Sequence, residues 1–189
     1  AFRVQAGRRA KRVHSLCPMP RLLAIGDVHG CADALDALLE LVEPQADDTL
    51  VFLGDLVDRG PDVPRVVDAV RDLGDVCDRV LLRGNHEQAM LNAKEEPAEL
   101  AWWRMIGGDA TLMAYEAARV EEIPRADVEF LAQTPLVHVE EEFFFVHGGY
   151  DPGRPLDAQD PQVALWTRID GSPPPAHESG KTAVVGHSI

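Results

Sequence analysis

Short apolar runs alternate with stretches of helical periodicity along the first half of the chain. Three runs, each of which predicts a buried strand, lie at residues 22–25, 50–53 and 80–82. After the first run, apolar side chains recur every three to four residues from Leu35 to Val42, which predicts an amphipathic helix that Pro44 ends. A second helix is predicted over residues 64–73. Strands that alternate with helices indicate βαβ units and a largely parallel sheet.

The second half of the chain begins with helices and ends with strands. The helical region breaks at Gly107–Gly108, resumes over residues 109–118 and holds another helix after Pro124. Trp102 and Trp103 are expected to pack against the core instead of contacting a substrate. The later β-rich segments, of which the first two predict a hairpin, lie at 136–139, 143–146 and 182–185.

Composition identifies an ordinary globular chain. Its 189 residues correspond to about one domain, with 46% hydrophobic and 26% charged residues. No apolar run approaches the roughly 18 residues of a membrane span, so a membrane partner is not expected. The three cysteines show no paired spacing, which favours a reducing compartment and a cytoplasmic location.

The net charge of −14 is unevenly distributed along the chain. Residues 1–21 hold six of the 18 basic residues and no acidic one, which leaves 12 basic against 32 acidic residues, a balance of −20, in the remainder. The first 20 residues are therefore expected to be a basic, disordered extension or a mis-assigned start ahead of Met19, with a folded domain over 21–189. An acidic body argues against a nucleic-acid partner and suits a protein that gathers cations.

Five glycine-containing clusters follow predicted strands and carry side chains of the metal-ligand type. They are Gly26–Gly30 (GDVHG), Gly54–Gly60 (GDLVDRG), Gly84–Glu87 (GNHE), His147–Gly149 (HGG) and Gly186-His187. Ligands of α/β proteins bind at the carboxyl ends of the strands, which is where these clusters lie.

Six side chains in these clusters are candidate metal ligands: Asp27, His29, Asp55, Asn85, His147 and His187. Carboxylate, imidazole and amide oxygen together suit manganese, iron or zinc. Six ligands are too many for one ion with an open position but suit two ions about 3.5–4 Å apart, with Asp55 as the candidate bridge. Asp27 and His29, which are separated by one residue, would point the same way from an extended backbone.

Other residues of the clusters could complete a phosphate-ester chemistry. Arg59 can present a bidentate fork to phosphate. His86 can act as the general acid and Asp58 can hold its protonated tautomer. Glu87 is expected to cap the following helix.

The ordered set GDVHG, GDLVDRG, GNHE, HGG and GH resembles the phosphoprotein phosphatase family of metallophosphoesterases, from Leu22 to His187. The closest resemblance is to bacterial and bacteriophage-type serine/threonine phosphatases, and symmetrical diadenosine tetraphosphate hydrolases share the motifs. The resemblance implies an α/β calcineurin-like sandwich of two mixed β-sheets flanked by helices. Because members of the family usually continue past the last Gly-His motif, we expect the fold to be truncated there.

The resemblance also implies roles for individual residues. Asp27, His29 and His187 would hold one ion, Asn85 and His147 the other, with Asp55 between them. His86 and Asp58 would form the catalytic acid pair. Arg59, Asn85 and, from the Leu165–Arg168 stretch, Arg168 would bind substrate. The expected cofactor is a pair of divalent ions, manganese first, with iron or zinc as alternatives.

The expected reaction is phosphomonoester hydrolysis by a hydroxide generated at the metals, with no covalent phosphoenzyme. Phosphoserine and phosphothreonine in proteins are the first expected substrates, with phosphotyrosine or a small phosphoester also open. Symmetrical cleavage of dinucleoside tetraphosphates is the alternative activity. A metal-binding or partner-binding domain without turnover is the third possibility.

Overall fold

The computed structural model describes residues 19–169, 171 and 174–188. The basic extension predicted at the amino terminus therefore lies, up to residue 18, outside the described residues. The strands are β1 (Leu22–Ile25), β2 (Thr49–Phe52), β3 (Asp78–Leu81), β4 (Val137–Val139), β5 (Phe143–Val146) and β6 (Thr182–Val185). The helices are α1 (Ala32–Val42), α2 (Val63–Asp72), α3 (Asn85–Glu95), α4 (Pro97–Trp103), α5 (Asp109–Ala114), α6 (Arg125–Ala132) and α7 (Pro161–Trp166).

Two three-stranded sheets form the framework. The first has the order β1-β2-β3 and is parallel throughout, with Leu22 opposite Thr49. The second has the order β4-β5-β6, in which β4 runs antiparallel and β6 parallel to β5. The α/β fold with two sheets flanked by helices, expected from the sequence, is confirmed. The expectation that both sheets are mixed is wrong for the first sheet, because βαβ connections make all three of its strands parallel.

The two sheets pack face to face, and helices cover their outer sides. Val51 and Leu82 of the first sheet region and Phe145 of the second form one buried apolar cluster. On the other face of the first sheet, the fully buried Val66 and Val67 of α2 join a larger core. Burying a valine side chain of this kind contributes about 1.5–3 kcal/mol to the stability of the folded protein. The packed layers therefore hold the strand ends in fixed positions.

The helical region departs from the sequence expectation at two points. The break at Gly107–Gly108 is a π-helical turn over Arg104–Gly108, in which Gly107 takes a φ of 129° that favours glycine. Helix α5 ends at Ala114 and not near 118, because Glu116 adopts a left-handed φ of 52° and interrupts the helical ladder. In the described ranges, no helix combines the length and apolar character needed to cross a membrane.

Candidate metal centre

The clusters predicted from the sequence meet at the carboxyl ends of β1, β2, β3, β5 and β6. Hydrogen bonds tie their loops together within and between the sheets: the N–H of His29 donates to the carbonyl oxygen of Asp55 at 2.8 Å, and the N–H of His187 donates to Oδ1 of Asp27 at 3.1 Å. Loops from both sheets therefore share one rim, and the side chains that they carry converge there.

Asp55 lies at the middle of this rim and is 1% exposed. Its Oδ2 lies 3.6 Å from Nε2 of His29 on one side and 3.4 Å from Nε2 of His147 on the other. Two groups of possible ligands overlap at this residue: His29, Asp55 and His86, and Asp55, His147 and His187. A carboxylate shared by two ligand groups has the position that a bridging ligand requires.

Backbone carbonyls orient both histidines. Nδ1 of His29 lies 2.8 Å from the carbonyl oxygen of Val57, and Nδ1 of His147 lies 2.8 Å from that of Leu53. A carbonyl oxygen only accepts, so each Nδ1 carries a proton and each Nε2 points toward Asp55. Metal-binding histidines are held by the same kind of outer contact.

The residues fit a divalent cation, and His29 gives the strongest indication. Its Nε2 is buried and has no hydrogen-bond partner among the described residues. With the proton on Nδ1, this nitrogen presents a lone pair to the Asp55 carboxylate, an arrangement that only a cation or an added proton makes favourable. Burial lowers the pKa of His29, which favours the neutral imidazole that a metal needs.

The charge states of the other central groups are coupled. Burial raises the pKa of Asp55, but the hydrogen bond and charge of His147, with the charge of His86, outweigh burial and bring it to about 2. Burial lowers the pKa of His147, but Asp55 outweighs it and the net shift is upward. An ionised carboxylate at the middle of the rim is the form that binds a metal.

The remaining candidate ligands divide between the two sides of Asp55. On one side, Nε2 of His147 lies 2.9 Å from Oδ1 of Asn85 and 3.2 Å from Nδ1 of His187. On the other, Oδ2 of Asp27 lies 4.0 Å from Nε2 of His29. His187 therefore joins His147 and not His29, contrary to the division that the resemblance implied. Its backbone, not its ring, faces Asp27, since its N–H donates to Oδ1 of Asp27 at 3.1 Å.

Several of these residues have unusual backbone conformations. Non-glycine residues with a positive φ include, at the rim, His29 (46°), Asp55 (54°), Asp58 (71°), Arg59 (66°) and His187 (60°). The prediction of an extended backbone from Asp27 to His29 is therefore wrong, because the backbone of His29 is in the left-handed region. Such conformations cost on the order of 1 kcal/mol or more each and concentrate at functional sites, where the surrounding packing enforces them.

A proton-transfer pair lies beside the candidate ligands. Nδ1 of His86 donates to Oδ2 of the fully buried Asp58 at 2.7 Å. The guanidinium of the exposed Arg59 approaches Nε2 of His86 to 3.0 Å. Although His86 belongs to one of the ligand groups, this positive charge opposes a cation at its Nε2. The expected pairing of His86 with Asp58, and the placement of Arg59 next to it, are thus both present.

Two residues that the sequence did not single out for the site hold Asp58. The indole Nε1 of Trp103 donates to Oδ2 of Asp58 at 2.9 Å, and the hydroxyl of Thr111 donates to its Oδ1 at 2.7 Å. Trp103 is fully buried, as expected, but it also supplies a hydrogen bond. Each Asp58 oxygen therefore has a donor besides His86, which fixes the carboxylate against the imidazole.

Glu87 contributes more than the expected helix cap. Its carboxylate accepts from the N–H of Gly84, which caps α3, and from those of Asp55, Leu56 and Val57, at 2.7–3.2 Å. Burial and the charge of Asp55 raise the pKa of Glu87 to about 7, against the lowering effect of these backbone donors. Gly84 is needed here because a Cβ at this position would lie 2.2 Å from Oδ1 of Asp55. Glu87 thus anchors the loop that presents the central carboxylate.

Arg168 follows helix α7 and lies near His187. Its side chain is exposed, and its charge is one of the factors that, after burial and the charge of His147, lower the pKa of His187. Arg168 is therefore close enough to act on the ligand group of His147. Arg59 borders the other group through His86.

Comparisons with known proteins bear on this rim. A family model described as calcineurin-like phosphoesterase matches residues 20–188. The symmetrical bis(5'-nucleosyl)-tetraphosphatase of Nitrosospira multiformis is 30% identical to this chain over 145 residues, which cover 76% of this chain and 49% of the relative. The protein of the same name from Methylococcus capsulatus is 36% identical over 69% of this chain and 44% of its own length. The chain spans about half the length of the curated relatives it matches.

A solved structure with a different printed name shares the fold. The protein serine/threonine phosphatase from Saccharomyces cerevisiae matches with a TM-score of 0.55 and 20% identity, over 87% of this chain and 57% of that one. Identity at this level shows a common fold and does not carry a substrate from one protein to the other.

Proposed function

The chain belongs to the calcineurin-like phosphoesterase family, and from that premise we propose that it is a dimetal phosphohydrolase acting on symmetrical dinucleoside tetraphosphates. The position of Asp55, shared by two groups of ligands, is the observation that carries the reaction class. The relatives that are 30% and 36% identical support the substrate, since both are named for it. This choice reverses the order expected from the sequence, which placed phosphoproteins first.

Asp27, His29 and Asp55 would hold one ion. Asp55, Asn85, His147 and His187 would hold the other. When bound, the two ions supply positive charge that lowers the pKa of water and neutralises phosphoryl oxygens. The donor set suits manganese, iron or zinc.

The chain's own residues complete the reaction. Arg59 donates to a phosphoryl oxygen and orients the phosphate. Nε2 of His86 accepts from Arg59 in this structure, so it becomes free to carry a proton only when Arg59 turns to the phosphate. His86 then gives that proton to the leaving oxygen, while Asp58 holds the opposite nitrogen. Water oxygen becomes bonded to phosphorus as the bond to the bridging oxygen breaks. Cleavage at the middle bridge of the tetraphosphate releases two nucleoside diphosphates.

A phosphoprotein substrate is the second candidate. The exposed Arg168, whose charge acts on His187, favours it because a second arginine could hold a phosphorylated side chain at the rim. This observation is weaker than the two relatives, since an arginine at the same place could equally hold one phosphate of a tetraphosphate.

The test is product analysis with manganese present. Diadenosine tetraphosphate should give adenosine diphosphate as the only nucleotide product, at a higher kcat/KM than that for phosphate release from a phosphoserine peptide. His86→Asn should lower kcat by about 10²–10⁴-fold, and Asp55→Asn should abolish turnover. His138→Asn is the matched control, since His138 lies on β4 and pairs with Glu140. Formation of adenosine triphosphate and monophosphate, or faster phosphopeptide hydrolysis, would contradict the proposed substrate.

A further inference from the structure

An aromatic pair lies between helices α4 and α7. Trp102 on α4 and Trp166 at the end of α7 have ring centroids 5.4 Å apart, with planes tilted by 52°. Trp102 is 37% exposed, so it does not join the core as the sequence suggested, whereas its neighbour Trp103 is fully buried. A large aromatic pair with an exposed side is a surface on which a flat ring can stack.

Both indoles are tied to the candidate centre. Trp102 directly precedes Trp103, whose indole donates to Asp58. Trp166 directly precedes Thr167, which packs so closely on the loop after His147 that a Cβ at Gly149 would lie 2.7 Å from it. The pair is therefore attached to the proton-transfer side through α4 and to the His147 side through α7.

The two indoles line a pocket of about 580 Å³ together with Asn92, Glu99 and Gln162. This volume lies within the range of about 300–1,000 Å³ for small-molecule sites. Asn92 lies seven residues after Asn85 on α3, so both are on the same helix face, about 10 Å apart along the axis. The helix that begins with the candidate ligand Asn85 therefore reaches the pocket about two turns later.

The chemistry of the pocket selects its occupant. None of its five lining residues is basic, and Glu99 would repel a phosphate. The amide of Gln162 can exchange hydrogen bonds with a ring nitrogen and an exocyclic amine, as such side chains do with adenine. The Oδ1 of Asn92 already accepts from Gln88 at 2.7 Å, but its NH₂ group can still donate to a ring nitrogen. Indole faces stack on any base. The lining thus suits an uncharged, flat, hydrogen-bonding ring.

We propose that this pocket binds one nucleobase of the dinucleoside substrate while the phosphates lie at the rim. The inference rests on the proposed function and adds a residue, Trp102, that would set specificity by stacking without touching the reacting atoms. Because the phosphates are held elsewhere, the loss of Trp102 should weaken recognition of the nucleoside and leave recognition of phosphate unchanged.

The first test is calorimetric binding of adenosine diphosphate and of inorganic pyrophosphate, which lacks the nucleoside, to the manganese-loaded protein. Wild type should bind adenosine diphosphate at least about tenfold more tightly than pyrophosphate. Trp102→Ala should remove that difference and leave pyrophosphate affinity within twofold. Trp102→Phe should keep most of it, and Met105→Ala, at a residue that is 84% exposed one turn away, should behave as wild type. The proposal that this pocket binds a nucleobase would be overturned if wild type bound the two ligands with equal affinity. It would also be overturned if Trp102→Ala lost affinity for both ligands equally.

The second test separates this inference from the proposed function. Trp102→Ala should raise the KM for diadenosine tetraphosphate by roughly 5- to 150-fold and change that for para-nitrophenyl phosphate by less than twofold. If wild type cleaves diadenosine tetraphosphate and Trp102→Ala does so with an unchanged KM, the proposed base pocket is wrong and the proposed function is supported. If wild type does not cleave diadenosine tetraphosphate but binds adenosine diphosphate through Trp102, the proposed function is wrong and the proposed base pocket is supported.

Discussion

Asp58 is the single residue whose surroundings say most about the proposed chemistry. It is fully buried, and His86, Trp103 and Thr111 all donate to it. Thr111 also accepts from the N–H of Asp58 at 2.9 Å, so its hydroxyl fixes both the backbone and the carboxylate. A general acid acts well only if its orienting carboxylate has one position, and this hydroxyl supplies that restraint.

Thr111→Val removes the hydroxyl at nearly constant volume. We expect kcat for para-nitrophenyl phosphate to fall about 10- to 100-fold, since a hydrogen bond to a charged group is worth about 1.5–3 kcal/mol. KM should change by less than twofold, because Thr111 does not reach the phosphate. Thr182→Val, an exposed position on β6, is the control. An unchanged kcat in Thr111→Val would show that Asp58 does not need this donor.

The motif residues could be predicted because each follows an apolar run that marks a strand end. Trp103 and Thr111 could not be assigned a place in the site in the same way. They lie 45 and 53 residues from Asp58, and their contacts exist only because the helical region folds back over the rim. The side of Asp55 on which His187 lies also depends on tertiary geometry, through its left-handed backbone.

Among the structural elements, the start of α3 and the loop after β2 form one unit through Glu87. Four backbone N–H groups donate hydrogen bonds to its one buried carboxylate. Strand and helix positions followed from apolar periodicity, but this contact between two elements did not. The sequence indicated a helix cap, and the same side chain also anchors a loop 30 residues earlier.

Glu87→Gln tests this unit. The amide keeps one acceptor but turns an NH₂ group toward backbone donors, which leaves buried N–H groups unpaired. We expect the free energy of unfolding to fall by about 1–3 kcal/mol and manganese affinity to weaken, because the loop that carries Asp55 loses its anchor. Glu95→Gln, exposed near the end of the same helix, should change neither in chemical denaturation and metal titration. Equal behaviour of the two variants would contradict the role of Glu87.

At the scale of the whole molecule, an ion pair between the partly exposed Arg21 and the buried Asp48 joins the starts of the first two strands. Asp48 is 1% exposed and accepts from Nε of Arg21 at 2.9 Å and from the N–H of Gln45 at 2.7 Å. The hydrogen bond from Arg21 is the main cause that holds the pKa of Asp48 well below its usual range. A lowered pKa means that folding favours the carboxylate, so this contribution is complete above the ordinary aspartate pKa of about 3.9. It is lost as the pH falls through the lower pKa of the folded protein.

Asp48→Asn should therefore lower the melting temperature at pH 7, and its deficit should shrink as the pH falls below about 3.9. The neighbouring exposed Asp47 gives the control, since Asp47→Asn removes the same charge without a buried partner. Thermal unfolding followed by circular dichroism across this pH range measures both. A deficit that is independent of pH would show that the effect of Asp48 is not electrostatic.

Both sheets contribute to one rim, and this arrangement makes the molecule a candidate dimetal enzyme. The first sheet supplies Asp27, His29, Asp55 and Asn85 through loops after its three parallel strands, and the second supplies His147 and His187. Ligands drawn from both sheets require the sandwich to be correctly packed before a metal can bind, so metal binding and global stability should be linked.

The claim that two ions share Asp55 is tested most directly by a crystal structure of the protein soaked in manganese, in which anomalous scattering locates the ions. We expect two anomalous peaks about 3.5–4 Å apart, with the carboxylate of Asp55 between them. His29 should contact one peak, and His147 and His187 the other. A single peak, or two peaks that do not share Asp55, would contradict the proposed dimetal centre.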